Sequence, residues 1–475
     1  MKLLRPQAAA AGLLLLLAGC AVPRPPSSVA TDAPPRWYAT LPHGGTLADL
    51  TQWWQQFNDP LLIDLVAAAQ TASPTVATAG TRIAEARSAR VAARAALLPT
   101  VDGTASLARG NALQGLPMVA TIGQAGAQAA WELDLFGGRA AQSDAARARL
   151  SGAEAGWHEA RVAVAAETAT TYVDLRTCER LLGVTRNDAR SRAETARLTG
   201  LSAQAGFTAP AVAAQARASA AEGSARSTQQ QAQCDLTVKA LVALTGLAEP
   251  ELRRRLSVPW VEPSGFALAA LPSVPARLLA QRPDVYAAER AVEAASADVG
   301  AARADRFPRL SLSGQIAGGF IHAAGQTNDA QTWAIGPLAV TVPLFDAGRR
   351  AAAVDAAQAR YEEAALQFAA RVRQAVREVE EALVNLESAR DRSEDARIAV
   401  EGYRASFAAT EARYSSGLAS LIELEDQRRV MLAAEISLVN LQRERVAAWI
   451  ALYRALGGGW ERPDATPAPA TARRG

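Results

Sequence analysis

Three cysteines have the clearest chemistry in this chain of 475 residues, and the first lies near the N-terminus. A positively charged start and a short apolar run, Ala8–Leu17, precede small residues that lead directly to Cys20. This order is typical of a bacterial lipoprotein signal, in which residues 1–19 are removed and the Cys20 thiol is acylated. The following Ala21 favours sorting to the outer membrane. The alternative is an ordinary secretory signal with an incidental cysteine. We therefore expect a lipid anchor and a flexible tether within residues 20–45.

The other two cysteines lie symmetrically about a glycine, since Cys178 and Cys234 are each 28 residues from Gly206. In a helical hairpin that turns at Gly206, the two thiols would face each other across antiparallel helices. Because the periplasm is oxidising, the sequence predicts a disulfide between them. Two buried free thiols on a helix seam are the alternative.

The residue spacings that catalysis or metal binding require are not found. His43, His158 and His322 are isolated, and none has a cysteine or acid at a metal-ligand spacing. The sequence contains no Walker A loop, no strand-linked dinucleotide fingerprint and no nucleophile elbow. The net charge of +3 implies no strong field for nucleic acid. We expect a protein that is not an enzyme and uses no metal or cofactor.

A duplication organises the chain. A segment that ends at Pro99 recurs about 210 residues later at Pro308, a distance far beyond the roughly 20–50 residues of a solenoid unit. We therefore predict two structural repeats, 46–250 and 251–457, each with a helix, a strand pair and a long helical hairpin. A disordered tail is expected at 458–475.

Very long helices are predicted in both repeats. Residues 346–412 contain no proline, and apolar residues recur there at steps of three and four, as in a coiled-coil seam. The counterpart in the first repeat is 139–198. A helix of about 67 residues extends roughly 100 Å. A coiled-coil stalk would explain these helices but not the strands between them.

Two strand pairs are predicted between the helices. Their strands are expected at 100–109 and 119–134, and at 309–320 and 331–344, with loops between the members of each pair. Apolar residues alternate with polar or small ones, which is typical of outer-membrane strands, although a water-soluble hairpin alternates as well. Four strands cannot close a membrane barrel, and open sheet edges are not tolerated in lipid. If these strands span a membrane, the protein must be an oligomer.

Five sequence blocks carry a resemblance to a known family. They lie at residues 53–61, 131–137, 282–290, 307–310 and 413–427. In this order, behind a lipoprotein signal, they resemble the outer membrane factor family, in its TolC/OprM-like, NodT-type efflux lipoprotein branch. The resemblance covers nearly the whole mature chain.

The resemblance implies a mostly α fold with membrane β-structure. Three copies, with four strands per protomer, would form an outer-membrane β-barrel continued by a long periplasmic α-helical barrel. Such a homotrimer passively conducts drugs and other small toxic molecules from periplasm to exterior. Its partners would be outer-membrane lipid, a periplasmic adaptor and an inner-membrane pump of the resistance–nodulation–division type. The alternatives are a type I secretion exit duct and a periplasmic coiled-coil scaffold or adaptor that never spans the membrane.

The resemblance also implies a periplasmic gate, to which Tyr414 belongs. Alignment on Tyr414 and Gly417 places the acids that narrow the duct at Glu423 and Asp426. A solvated helix face with scattered acids is the alternative. The equivalent position of the first hairpin holds Val212, so only the second hairpin carries gate acids.

The turns of the two hairpins are the expected adaptor contacts. These tips contain Gly206 and Phe207 in the first repeat, and Gly417 and Leu418 in the second. Turn chemistry alone would explain the two glycines equally well.

Overall fold

The computed structural model describes residues 22–30, 38, 50–111, 119–258, 260, 281–460 and 462–463. Cys20 lies outside these residues. The elements of the first half are a 3₁₀ helix (Leu50–Phe57), α1 (Pro60–Ala72), α2 (Pro74–Ala95), β1 (Thr100–Gly110), β2 (Ala120–Leu133), α3 (Gly138–Gln204), α4 (Pro210–Thr245) and α5 (Glu249–Leu256). Those of the second half are α6 (Pro283–Ala304), β3 (Arg309–Ala323), β4 (Gln326–Thr341), α7 (Arg349–Ser415) and α8 (Leu421–Ala455).

The two halves repeat one order of elements at matched lengths. Helices α3 and α7 have 67 residues each, while α4 has 36 and α8 has 35. Each long helix follows a strand pair and is followed by a tight turn. The duplication that the sequence predicted is therefore present in the fold.

Local sequence explains where the helices begin and end. The Asp59 carboxylate accepts hydrogen bonds from the backbone N–H groups of Leu61 and Leu62, at 3.0 and 3.4 Å, and so caps α1. Pro60 occupies the first turn, where its missing N–H costs nothing. Helix α4 ends at Gly246, whose positive φ of 67° suits a residue without Cβ.

The chain divides into two compact units. The described residues within Met1–Thr31, Gly80–Ala155 and Ala287–Ala370 form the first, here called the strand unit. Those within Asp32–Ala79, Gly156–Tyr286 and Arg371–Gly475 form the helical unit.

The strand unit contains one antiparallel sheet in the order β1-β2-β3-β4. Val101, Ala129, Gly314 and Ile335 stand opposite one another across the four strands. Val101 and Ile335 are 70% and 81% exposed, so this apolar face of the sheet is uncovered within the chain. An exposed apolar face this regular is typical of a sheet that meets lipid or another protein.

The opposite, polar face carries hydrophilic side chains. The row adjacent to Val101 consists of Asp102, Gln128, Gln315 and Ala334. Since side chains alternate along a strand, the two rows point to opposite faces. The sheet therefore separates an apolar from a polar surface, as the alternating sequence predicted.

A bulge in β4 keeps its apolar residues on one face. The pairing passes from Gly314 opposite Ile335 to Leu312 opposite Leu338, so β4 holds one residue more than β3 in this interval. The extra residue shifts the alternation by one position. Leu338 and Val340 consequently return to the apolar face.

The loop predicted at 321–330 is wrong. Strands β3 and β4 continue through most of this segment and leave only Ala324 and Gly325 as the turn. Both residues have positive φ, 50° and 79°, as a two-residue hairpin turn requires. The corresponding loop of the first hairpin, 110–118, lies mostly outside the described residues.

The helical unit has an extended apolar core. Trp53 of the 3₁₀ helix is buried against Trp449 and Tyr453 of α8, with ring centroids 5.2 and 5.7 Å apart. Leu62 and Leu65 of α1 belong to the same cluster. The tryptophan block of the sequence is therefore a packing element.

Cys178 of α3 and Cys234 of α4 form a disulfide, with an S–S distance of 2.07 Å and Cα atoms 5.5 Å apart. Both residues are buried in the core of the helical unit. The bond lies midway along the first hairpin, where the symmetry about Gly206 predicts it.

No single helix among the described residues is both long and apolar enough to cross a membrane. The consecutive helices α1 and α2, taken together as a bent pair, meet the length and composition that such a crossing needs.

Two segments near the ends of the described chain are held by contacts that the sequence did not predict. Pro23, Arg24 and Pro25, which lie in the expected flexible tether, are hydrogen-bonded to helices of the strand unit. At the other end, Trp460, which lies in the expected tail 458–475, packs against Tyr286 with centroids 5.2 Å apart. Apolar and polar contacts that are distant in sequence fix both segments.

Candidate gate and hairpin tips

The tip of the first hairpin is a tight helix-ending turn. The N–H of Phe207 donates to the Ser202 carbonyl at 2.9 Å, and that of Gly206 to the Ala203 carbonyl at 3.1 Å. Gly206 has φ +82°, which a residue without Cβ adopts freely. The turn leaves the Phe207 side chain 86% exposed.

The tip of the second hairpin repeats this turn. The N–H of Leu418 donates to the Arg413 carbonyl at 2.8 Å, and that of Gly417 to the Tyr414 carbonyl at 3.0 Å. Gly417 has φ +75°, and Leu418 is 71% exposed. Each tip thus presents one large apolar side chain directly after its glycine.

The predicted gate acids are both paired with arginines. Glu423 lies 2.8 Å from Arg413 across the turn, and its backbone N–H donates to the capping Ser420 hydroxyl at 3.1 Å. Asp426 lies 2.9 Å from Arg429, one turn further along α8. Ion pairs between exposed groups contribute about 0–1 kcal/mol each, so these acids can exchange partners readily.

Tyr414, the third predicted gate residue, lies at the end of α7. Its hydroxyl is 2.9 Å from the Thr199 hydroxyl of α3, so it links the second hairpin to the first. The structure therefore pairs each of the three predicted gate residues with a different side chain.

A buried charge network lies directly beside these residues, since its members Glu425 and Arg428 neighbour Asp426 on α8, and the sequence reasoning missed it. Arg192 of α3 donates to Asp188 at 2.9 and 3.0 Å and also pairs with Glu425 of α8. Glu425 also pairs with Arg428, which is only 1% exposed, and accepts from Ser219 of α4. The network thus connects α3, α4 and α8.

Arg428 is enclosed on its remaining sides. It donates to the hydroxyls of Ser191 and Thr195, both at 3.1 Å, and lies over the Phe407 ring at 5.4 Å. Burial lowers its pKa below the ordinary arginine value. Because a buried charge is costly without partners, these contacts hold α8 against α3. One feature of the sequence could have indicated this network: Arg428 occupies a coiled-coil seam position between the apolar residues Leu424 and Leu432.

A second buried ion pair, Arg282–Asp284, gives a structural role to the family-like block at residues 282–290. Arg282 donates to Asp284 at 2.9 and 2.7 Å, to Glu378 of α7 at 2.7 Å and to the Ala455 carbonyl at 2.9 Å. Burial alone would raise the pKa of Asp284, but the hydrogen bonds and charge of Arg282 lower it overall. This arginine joins the start of α6 to α7 and to the end of α8.

Within the described ranges, no three His, Cys, Asp or Glu side chains are placed to share a metal ion.

The combination of a two-faced antiparallel sheet and paired 67-residue helices defines a class of channel. The structure matches that of the outer-membrane channel OprN with a TM-score of 0.80 and 28% identity, over 92% of this chain and 98% of that chain. It also matches the outer membrane protein VceC of Vibrio cholerae, with a TM-score of 0.76 and 25% identity, over 88% of this chain and 100% of that one. The fold is that of an outer-membrane channel.

The chain belongs to the outer membrane efflux protein family, whose model matches residues 65–247 and 274–458. The solvent efflux pump outer membrane protein SrpC of Pseudomonas putida is 29% identical over 466 residues, 94% of this chain and 97% of that protein. Nodulation protein T of Rhizobium leguminosarum bv. viciae is 27% identical over 462 residues, 96% and 94% of the two chains. The family and fold class expected from the sequence blocks are therefore confirmed, and the chain is the outer-membrane channel component of an efflux system.

Proposed function

We propose that this protein is the exit duct of a tripartite efflux system and conducts small toxic compounds from periplasm to exterior. The observation that carries the proposal is a sheet with one exposed apolar face and one polar face, attached to helices of 67 residues. A passive duct needs such a wall and no catalytic centre. The name of the relative SrpC, a solvent efflux protein, supports apolar small molecules as cargo.

The proposal includes a homotrimer. In the described sheet, β1 pairs only with β2 and β4 only with β3, so both edges are open. Unpaired backbone groups cost several kcal/mol each in hydrocarbon, which makes a single sheet of four strands unstable there. Three copies joined from β4 to β1 would close a barrel of twelve strands, within the range of known outer-membrane barrels.

The gate in this proposal consists of Glu423, Asp426 and Tyr414. Threefold symmetry would bring three copies of each carboxylate around the axis, where like charges repel one another and attract cations. Arg413 and Arg429 offset this repulsion within each protomer. The Tyr414–Thr199 contact and the buried Arg428 network connect the second hairpin to the first, and in this proposal they stabilise the closed gate.

The tips are the proposed docking points of a periplasmic adaptor, which connects the duct to an inner-membrane pump. Phe207 and Leu418 are exposed apolar side chains on rigid turns, a combination that suits contact with another protein. Acylated Cys20 would anchor each protomer in the outer membrane in addition to its strands.

The test of this function is a deletion strain complemented with the wild-type gene and with a gate variant. We expect deletion to lower the minimal inhibitory concentration of solvents, dyes or detergents, and wild-type protein to restore it. Sensitivity that is unchanged by deletion, in a strain without a second exit duct, would contradict a role in efflux.

A further inference from the structure

We propose that the strand unit contains a binding seat for the chain segment that follows Cys20, and that this seat fixes where the lipid anchor enters the membrane. The seat consists of Ala141 and Asp144 of α3 with Ser296, Gly300 and Arg303 of α6. The occupant is residues 23–25. The placement of the anchor rests on the proposed acylation of Cys20, whereas the seat itself does not.

Three polar contacts hold the segment. The Arg24 guanidinium lies 3.1 Å from the Asp144 carboxylate. Arg303 donates to the Pro23 carbonyl at 2.7 Å, and the Ser296 hydroxyl donates to the Pro25 carbonyl.

One of these contacts uses the seat in a way that a chance surface contact would not. Ser296 is only 1% exposed, so its hydroxyl needs a partner, and the Pro25 carbonyl supplies it. The prolines at 23 and 25 also limit the backbone freedom that docking must remove.

The shape of the seat depends on a glycine. A Cβ at Gly300 would lie 3.5 Å from Cβ and 3.6 Å from Cδ of Arg24, and 3.6 Å from Cβ of Ala141. A methyl group would therefore just touch the segment, and a larger side chain would occupy its place. Small residues also bring the two helices together, through a buried cluster that includes Ala145 and Ala297.

The contacts give the segment a direction. Ser296 and Arg303 are seven residues apart on α6, about 10 Å along its axis, and Arg303 is the nearer to the start of β3. The chain therefore approaches the sheet as it runs from Pro25 back to Pro23. Three further residues reach at most about 11 Å, so an acyl group on Cys20 would be attached within that distance of the Pro23 position.

This placement differs from that of a free tether. A flexible chain of about 16 residues has an end-to-end distance of roughly 20–24 Å and would let the anchor move over a wide area. A docked segment instead keeps the attachment point of the acyl chains within about 11 Å of the Pro23 position. The seat thus couples anchor position to the folded strand unit.

Disulfide trapping tests the seat directly. The variant Arg24→Cys with Gly300→Cys places two thiols with Cβ atoms about 3.5 Å apart, within the range that a disulfide requires. The matched control is Arg24→Cys with Gly80→Cys, because Gly80 lies in a helix of the same unit and has no atom within 4 Å of its Cβ position. The native Cys178–Cys234 bond leaves neither of those thiols free.

We expect mild oxidation of membranes to crosslink most chains of the first pair and few of the control, as measured by mass spectrometry of unreduced digests. Equal and low crosslinking in both pairs would overturn the seat. The mass of the N-terminal peptide, measured on the same sample, reports acylation separately. If positions 24 and 300 crosslink in chains whose Cys20 carries no acyl group, the seat stands but the placement of the lipid anchor is overturned.

A second measurement uses the shape of the seat. A spin label on Ser27→Cys should be immobile in the otherwise native protein, mobile in Gly300→Leu and immobile in Gly80→Leu. If the label moves equally in all three, residues 22–30 are not held by this seat. The Gly80→Leu control also shows whether a leucine in a helix of this unit disturbs the fold generally.

Discussion

The two helical hairpins end in the same backbone turn, and ion pairs cross between the helices of both, but among the described residues only the first also has a covalent cross-link. The first has a disulfide between its two helices, Cys178–Cys234. The second has ion pairs across its helices, such as Arg392–Glu444 and Arg404–Glu435, both at 2.6 Å. Duplication has therefore preserved the turn and changed the cross-links.

The regions next to the tips differ as well. Helix α4 begins after Ala209 with no side-chain cap, while α8 begins after Ser420, whose hydroxyl caps the helix. Val212 in the first hairpin corresponds to Glu423 in the second. The second hairpin therefore carries Glu423 and Asp426 next to its tip, and the first provides the partners Arg192 and Thr199. This difference teaches that the charges next to a tip can change while the turn stays the same.

The largest expected effect comes from breaking the buried connection between the hairpins. Glu425→Ala removes the carboxylate that faces two buried arginines, and we expect a loss of about 3–5 kcal/mol of stability in the helical unit. Limited proteolysis and thermal unfolding of the purified protein would measure it. Glu425→Leu with Arg428→Leu is the matched control, because it removes both charges and leaves the Arg192–Asp188 pair intact. If Glu425→Ala is as stable as Glu425→Leu with Arg428→Leu, the buried charges do not hold the hairpins together.

The disulfide should have the next largest effect, confined to the first hairpin. Cys178→Ser with Cys234→Ser removes a cross-link between residues 56 apart, and such losses cost about 2–4 kcal/mol. Hydrogen exchange should increase in α3 and α4 more than in α7 and α8. A free-thiol assay of the unreduced, denatured wild-type protein should detect no reactive thiol at either position; two reactive thiols would show that the bond does not form.

The proposed gate acids, Glu423 and Asp426, should affect conduction more than stability. Glu423→Gln with Asp426→Asn should raise single-channel conductance severalfold, because the ion pairs with Arg413 and Arg429 beside the tip are lost. Cation preference should weaken, because a ring of negative charge is removed. The reciprocal change in the first hairpin, Val212→Glu, should strengthen cation preference by adding acids near the same level. Planar bilayer recordings measure both. Unaltered conductance and selectivity in the first variant would show that Glu423 and Asp426 do not form the gate.

The smallest effect on stability is expected at the tips. Phe207→Ala and Leu418→Ala alter side chains that are almost fully exposed, so each should change stability by less than about 0.5 kcal/mol. If the tips bind an adaptor, each variant should nevertheless weaken complementation of a deletion strain. Ser416→Ala, in the same turn but without apolar surface to lose, serves as the control. Normal complementation by both tip variants would place the adaptor contact elsewhere.

Much of the fold could be predicted because it depends on local patterns. Strand β1 and the start of β3 follow directly from Pro99 and Pro308, which end the preceding helices. The pairing of Cys178 with Cys234 follows from their equal distance to one turn. Alternation along the strands correctly separated the two faces of the sheet.

The remaining features depend on contacts between distant segments, which periodicity does not encode. The hairpin turn at Ala324 was missed because alanine gives no sign of the positive φ that it adopts there. Arg428 occupies a seam position whose partner Thr195 is 233 residues away. The seat for residues 23–25 requires two helices from different repeats, so neither repeat alone predicts it.

The central claim is that copies of this chain together form a conducting wall in the membrane. Recording from planar bilayers with purified, detergent-solubilised protein tests it most directly. The account predicts discrete, cation-preferring conductance steps that become larger when Glu423 and Asp426 are neutralised. Bilayers that remain electrically silent, with protein of verified fold and membrane insertion, would contradict it.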